Sequence, residues 1–164
     1  MDILDIIKDR RSIRAYRSDP VTDEDIHNIL EAARWSPSGL NNQPWRFLIL
    51  KDEVKDDLAQ FTTSNDIILQ APVALVVCMD KKASYNYEKD LMALGACIQN
   101  MLLAAKSLDL GTCWLGEILN RKAEVHSTLG LTENLELWAV ICLGYPAQKA
   151  EPGERKILKN LMIR

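Results

Sequence analysis

The chain has 164 residues, 48% of them hydrophobic and 26% charged, with a formal net charge of −3. Such a length suits one domain with a substantial core, the composition is ordinary for a soluble globular protein, and the charge carries no nucleic-acid signature over the chain as a whole. The acidic opening Met1-Asp2-Ile3-Leu4-Asp5 is unlike a basic secretory leader, and the longest apolar run, 71–79, contains Pro72 and is too short to span a bilayer, so no membrane partner is expected.

In chain order, Leu4, Ile7 and Lys8 share one face of a short first helix that ends near Arg10. Thr22 precedes Asp23-Glu24-Asp25, an N-cap followed by acids in the first turn. Ile26, Ile29, Leu30 and Ala33 then form a helical stripe, stopped at Ser36-Pro37 because a residue before proline avoids the α region. Residues 46–51 read as a strand, 52–61 as a helix with Val54 and Leu58 inward, and 62–65 as a break. The continuous apolar run 73–78 predicts a strand covered on both faces. Residues 81–88 read as a surface loop or lid. The longest helix is expected over 88–108, where Leu91, Leu94, Ala96, Ile98, Met101, Leu102 and Ala105 leave few charges. A helix apolar around most of its circumference must be covered nearly everywhere, by another subunit or by the chain's own sheet. Residues 111–116 follow, then a helix over 120–129 and a last strand over 137–143. The remainder is basic, with Lys149, Arg155, Lys156, Lys159 and Arg164, and lacks a core pattern.

Three stretches carry chemistry. Residues 10–17 hold Arg10, Arg11, Arg14 and Arg17 around Ser12; planar guanidinium forks and a hydroxyl suit phosphate, and a solvated basic turn is the plain alternative. Residues 37–45 set Ser38, Gly39, Asn41, Asn42 and Gln43 between Pro37 and Pro44, an irregular polar loop able to aim amides and backbone N–H groups at a ligand or merely to connect a helix to a strand. Gly111 and Gly116 bracket a short β-like run that allows close approach of a flat ligand, although Gly111 also suits a helix C-cap. Cys78, Cys97, Cys113 and Cys142 lie in apolar surroundings without a Cys-x-x-Cys pair, which suggests buried free thiols in a reducing cytoplasm. His27 and His126 are far apart on predicted helices, and neither a metal site nor histidine catalysis is expected. No Gly-x-Gly-x-x-Gly, Gly-x-Ser-x-Gly, His-Glu-x-x-His or Walker sequence occurs.

The run Arg10-Arg11-Ser12-Ile13-Arg14-Ala15-Tyr16, followed a helix later by Pro37-Ser38-Gly39-Leu40-Asn41-Asn42-Gln43-Pro44-Trp45, resembles the nitroreductase family of flavoproteins. That family opens with Arg-Arg-Ser-x-Arg-x-(Phe/Tyr) and continues with Pro-Ser-x-x-Asn-x-Gln-Pro-Trp. The resemblance implies an α+β fold with a central, mainly antiparallel sheet flanked by helices. It also implies an intertwined homodimer, with 1–164 as one domain and a tail from about residue 147 wrapping the partner subunit. It implies one FMN per subunit at the dimer interface and NAD(P)H as hydride donor. Arg10 and Ser12 would face the FMN phosphate, with Arg11 supporting, and Arg14 would lie by the N1 and C2 carbonyl edge. Ser38, Gly39 and Asn41 would come from the other subunit, with Gln43 orienting their loop. Leu115 and Gly116 would lie at the N5 edge. Arg155 would close on the phosphate, with Lys156 as the alternative. Electrons would pass by a ping-pong mechanism to a nitroaromatic, quinone or similar small acceptor, with no side chain acting as an acid. The chain lacks the longer helical cover of larger members, and 81–88 is its nearest substitute. Two other functions fit the same residues: an FMN-storing or regulatory binding protein, and a flavin-free dimeric interaction module.

Overall fold

Four strands form one sheet in the order β1 (Trp45–Leu50), β2 (Val73–Asp80), β4 (Leu135–Gly144), β3 (Gly111–Leu115), every neighbouring pair antiparallel. The structure, a computed structural model, describes residues 2–163; Met1 of the acidic opening and Arg164 of the basic tail lie outside them. All eight residues of β2 are buried, as its unbroken apolar sequence predicts. Val73, Leu75, Val77 and Met79 point to one face, and Ala74, Val76 and Cys78 to the other. The first face packs against α2 (Asp23–Arg34) and α5 (Tyr87–Ser107); the second packs against α4 (Asn65–Gln70), α6 (Lys122–Thr128) and two 3-10 turns, Asp57–Phe61 and Glu117–Arg121. On β4 the register slips opposite Val77 and Cys78, so Trp138 is an extra residue that joins Ala139 on the first face.

Local chemistry sets these elements. Thr22 caps α2 as its sequence predicts: its hydroxyl accepts the Asp25 N–H at 3.0 Å, and Ile26, Ile29 and Ala33 are buried below it. Residues 52–61 are not one helix. A five-residue helix, α3 (Asp52–Asp56), tightens into the 3-10 turn at Asp57, which leaves Leu58 buried and turns Val54 outward at 57% exposure. Lys55 is buried instead. Its ammonium donates to the Ile68 carbonyl at 2.6 Å and the Leu69 carbonyl at 3.3 Å, so it caps the C-terminal end of α4, a helix whose sequence is too short to show a period.

The chain itself covers most of α5: Ala93, Leu94, Cys97, Ile98, Met101, Leu102 and Ala105 are buried against α2 and the sheet. Apolar surface without a partner lies elsewhere. The first helix, α1 (Ile3–Asp9), buries none of its described residues, and Ile3, Leu4 and Ile7 are exposed. Residues 147–163 run over the surface with one 3-10 turn, Leu158–Leu161, and expose Ile157, Leu158, Leu161, Met162 and Ile163.

Candidate functional site

Helix α1 ends at Arg10, and the chain then runs extended along β3, where Ser12 bridges Thr112 and the Ile13 N–H donates to the Thr112 carbonyl at 2.8 Å. Gly111 does not cap α5. That helix closes at Leu108, Asp109 takes the left-handed conformation (φ 58°), and Gly111 opens β3 because a Cβ there would lie 2.7 Å from Ile13 Cγ1. The strand edge thereby carries Arg10, Arg11, Ser12 and Arg14 to the wall of a cleft of about 260 Å³, which Arg155 completes from the tail together with Gln148, Ala150, Glu151 and Pro152, so that four guanidiniums face one carboxylate. Five of the residues singled out in sequence meet here, and Lys156 is not among those lining the cleft.

The cleft is electrostatically incomplete. The Nε atoms of Arg10 and Arg11 are buried without a hydrogen-bond partner among the described residues. Burial pushes the Arg10 guanidinium below its ordinary pKa, and the charges of Arg11 and Arg155 push it further the same way. Arg11 is partly spoken for: its Nη1 donates to the Lys8 carbonyl and to the Arg10 carbonyl, the latter at 2.8 Å. The tail lies flat on that guanidinium at Gly153, where a Cβ would sit 2.6 Å from Arg11 Nε. Arg14 is exposed, its nearest acceptor being the Ser12 carbonyl at 3.5 Å. Leu115 is buried at the far end of β3, and Gly116 opens the following 3-10 turn with free space over its Cα.

Residues 37–45 form a tightly specified loop. Leu40, Asn41 and Gln43 all have left-handed φ values, 54°, 52° and 47°. For Leu and Gln this is strained backbone, held only because the surroundings fix it. Ser38 accepts the Gln43 N–H on its hydroxyl at 3.0 Å, and the Gln43 amide donates to the Asn41 carbonyl at 3.2 Å. Leu40 projects from the tip, 85% exposed. Behind the loop stands a residue that sequence reading missed. Asp90, on α5, is fully buried and, among the described residues, makes no ion pair. It accepts from the Asn42 amide at 2.8 Å, the Ser84 hydroxyl at 2.6 Å, and the backbone N–H groups of Tyr85 and Asn86 at 3.1 and 3.2 Å. Burial opposes ionisation, yet these donors together hold its carboxyl below the usual range.

One chain cannot unite the two motifs. The loop leads into β1 opposite Met79, at the C-terminal end of β2. The arginine segment joins β3 at Thr112, opposite Leu143 and hence beside Val73, the N-terminal end of β2. They occupy opposite edges and opposite ends of the sheet, four strand spacings or roughly 19 Å apart across it, since the arginine segment lies outside β3.

The nitroreductase family model matches residues 7–65 and 61–145. The chain belongs to the nitroreductase family. A candidate NADH dehydrogenase/NAD(P)H nitroreductase of Archaeoglobus fulgidus is 37% identical over 154 residues, covering 92% of this chain and 88% of its own. A candidate nitroreductase of Desulfovibrio desulfuricans, solved in complex with FMN, is 44% identical with a TM-score of 0.95, covering 100% of this chain and 97% of that one. The NADPH:FMN oxidoreductase of Vibrio harveyi, solved in complex with NAD+, is 28% identical with a TM-score of 0.90, over 99% of this chain and 76% of that one.

In this nitroreductase-family chain all four cysteines are free and buried. Burial raises the thiols of Cys78 to about 11 and of Cys97 and Cys142 to about 12; it also raises that of Cys113, against a smaller opposing effect of Arg14. His27 lies on α2, and His126, on α6, has Nε2 3.0 Å from the Leu135 carbonyl oxygen. Among the described residues no helix is long and apolar enough to cross a membrane, and no group of His, Cys, Asp and Glu is placed to hold a metal ion.

Proposed function

We propose that this protein is an FMN-dependent oxidoreductase that takes electrons from NAD(P)H and delivers them to a quinone, nitroaromatic or similar small acceptor. The observation that carries the reading is the arginine cleft. It presents two buried guanidinium N–H groups without partners among the described residues, crowded by a third guanidinium, and a phosphate supplies the acceptors they lack and the charge that the lone carboxylate of Glu151 does not balance. The FMN held by the Desulfovibrio relative and the NADPH:FMN activity in the name of the Vibrio relative point to the same cofactor.

On this reading Arg10, Ser12 and Arg155 bind the phosphate. Arg11 ties the cleft to the end of α1 and to the tail at Gly153. Arg14, without a carboxylate partner among the described residues, sets a positive charge beside the isoalloxazine. Leu115 and Gly116 border its N5 edge, where open space over Gly116 admits a flat ring. Held there by Arg10, Ser12 and Arg155, FMN would supply two-electron redox chemistry between a reduced nicotinamide and an acceptor that meet the site in separate encounters. The balance for a quinone is NAD(P)H plus a proton plus quinone giving NAD(P)+ plus hydroquinone, with no proton demanded of a protein side chain.

The site takes Ser38, Gly39 and Asn41 from the second subunit of a homodimer, one FMN per subunit. The opposite-corner placement of the two motifs supports this, as do the exposed apolar faces of α1 and the tail, which a second copy would cover. The chain is one domain, whose tail crosses its own arginine cleft as far as Arg155 and beyond it lies on the partner. A purified protein that is yellow, with the absorbance of bound oxidised flavin, and that oxidises NADH or NADPH when an acceptor is added is the expected result. Flavin held without turnover would make it a binding protein, and no flavin at all would refute the reading.

Cys113, beside the proposed flavin floor, is structural on this account. Reactive thiols need a lowered pKa, and burial drives this one upward. Cys113→Ser should leave FMN reduction by NAD(P)H intact and lower stability, as followed by stopped-flow absorbance and thermal melting. A folded, FMN-loaded variant whose flavin is no longer reduced would contradict it.

A further inference from the structure

We propose that Tyr85 determines acceptor specificity: its ring, seated over Gly39, is the aromatic wall against which a flat, electron-poor acceptor stacks. The inference rests on the flavin oxidoreductase reading above. A Cβ added at Gly39 would lie 1.8 Å from the Tyr85 hydroxyl oxygen, so the phenol sits directly on the loop that the second subunit's cleft is proposed to receive. Asp90 makes loop and phenol one body. One side of its carboxylate holds the Asn42 amide, and the other side holds the Ser84 hydroxyl and the Tyr85 and Asn86 N–H groups. The Asn42 amide also donates to the Ala83 carbonyl at 3.0 Å, a second tie between the same two segments.

The residue so fixed remains open to solvent, 42% exposed. A large aromatic anchored at its backbone, its hydroxyl end against Gly39 and much of its surface open, is placed to meet a ligand rather than to fill a core. Lys89 adds to its chemistry, with Nζ 5.6 Å from the ring centroid. Electron-poor rings stack on an electron-rich phenol, and a nearby cation favours an acceptor that gains negative charge as it is reduced. Nitroaromatics and quinones have both properties, whereas a compact inorganic acceptor such as ferricyanide has no ring to stack.

The test compares FMN-loaded wild type with Tyr85→Leu and Tyr85→Phe. Binding of para-nitrobenzoate is followed by perturbation of flavin absorbance, and selectivity is read as kcat/KM for a quinone divided by that for ferricyanide. Tyr85→Leu should weaken nitrobenzoate binding about fivefold and lower the selectivity ratio similarly, the size of a lost aromatic pair. Tyr85→Phe, which keeps the ring, should preserve both. Unchanged values in Tyr85→Leu, equal damage in Tyr85→Phe, or loss of FMN from the Leu variant would overturn the assignment. A wild-type protein without flavin would overturn the functional reading itself and Tyr85's role with it, before any variant is made.

Discussion

Arg10→Gln should weaken FMN binding by about 30-fold, near 2 kcal/mol, the value of a charge-assisted hydrogen bond in a partly buried site. The sign of its effect on the empty protein is the sharper test. Arg10 is half-buried among like charges, its Nε unpartnered among the described residues and its guanidinium disfavoured by burial and by Arg11 and Arg155. Removing it relieves repulsion, so the melting temperature of the apo form should hold or rise. The rise that a fixed excess of FMN produces should shrink at the same time, because a ligand stabilises the native state by RT times the logarithm of one plus its concentration over Kd. Isothermal titration and paired melts with and without FMN measure both. A lowered apo melting point with unchanged affinity would make Arg10 a structural cation. Arg14→Gln separates the two ends of the cleft: affinity should fall less than in Arg10→Gln, and the midpoint potential of bound FMN should drop, because a cation near the reduced ring is lost. An unchanged potential with a large loss of affinity would reassign Arg14 to the phosphate, and no change in either would leave it a solvated charge.

The second large effect is on stability. Asp90→Ala should destabilise the fold by about 3 kcal/mol, since the Asn42 amide, the Ser84 hydroxyl and two backbone N–H groups lose their common buried acceptor. For a chain of this size that lowers the melting temperature by about 6–12 °C. The pH dependence follows from the direction of its shift. The folded carboxyl titrates below the unfolded value, so its contribution is complete above the unfolded pKa of about 4 and is lost as pH falls through the folded one. Urea unfolding of wild type and variant should therefore differ most at neutral pH and converge in strong acid. A gap that persists unchanged into strong acid would show that packing, not the charge, carries the effect.

Much of this was legible in the sequence where local chemistry decides. The Thr22 cap, the unbroken β2 run and the two motif stretches each carry their own physical signal, and the arginine residues do converge with Arg155. What stayed hidden depends on tertiary partners. Asp90 looks like an acid in a helix's first turn, yet it stands four residues before Leu94, on the buried face, and only that register hints at a carboxylate that must be satisfied from outside the helix. Val54 and Leu58 do not share a face because the winding tightens from α to 3-10 at Asp57, between them, and composition does not encode that change; Lys55 takes the buried side of α3 instead. Gly111 suits a helix cap by residue type, but Asp109 adopts the left-handed turn and leaves Gly111 to accommodate Ile13.

The separation of the two motifs to opposite corners of the sheet has a consequence for inheritance. If each site joins the arginine edge of one subunit to the loop of the other, a chain damaged at one motif still lends its sound half. Mixed with a chain damaged at the other motif, it rebuilds one intact site in every heterodimer, although neither variant has any alone. A chain damaged at both motifs lends nothing and spoils both sites of whatever wild-type subunit it pairs with. Single lesions at the two corners should thus complement, and the double lesion should be dominant.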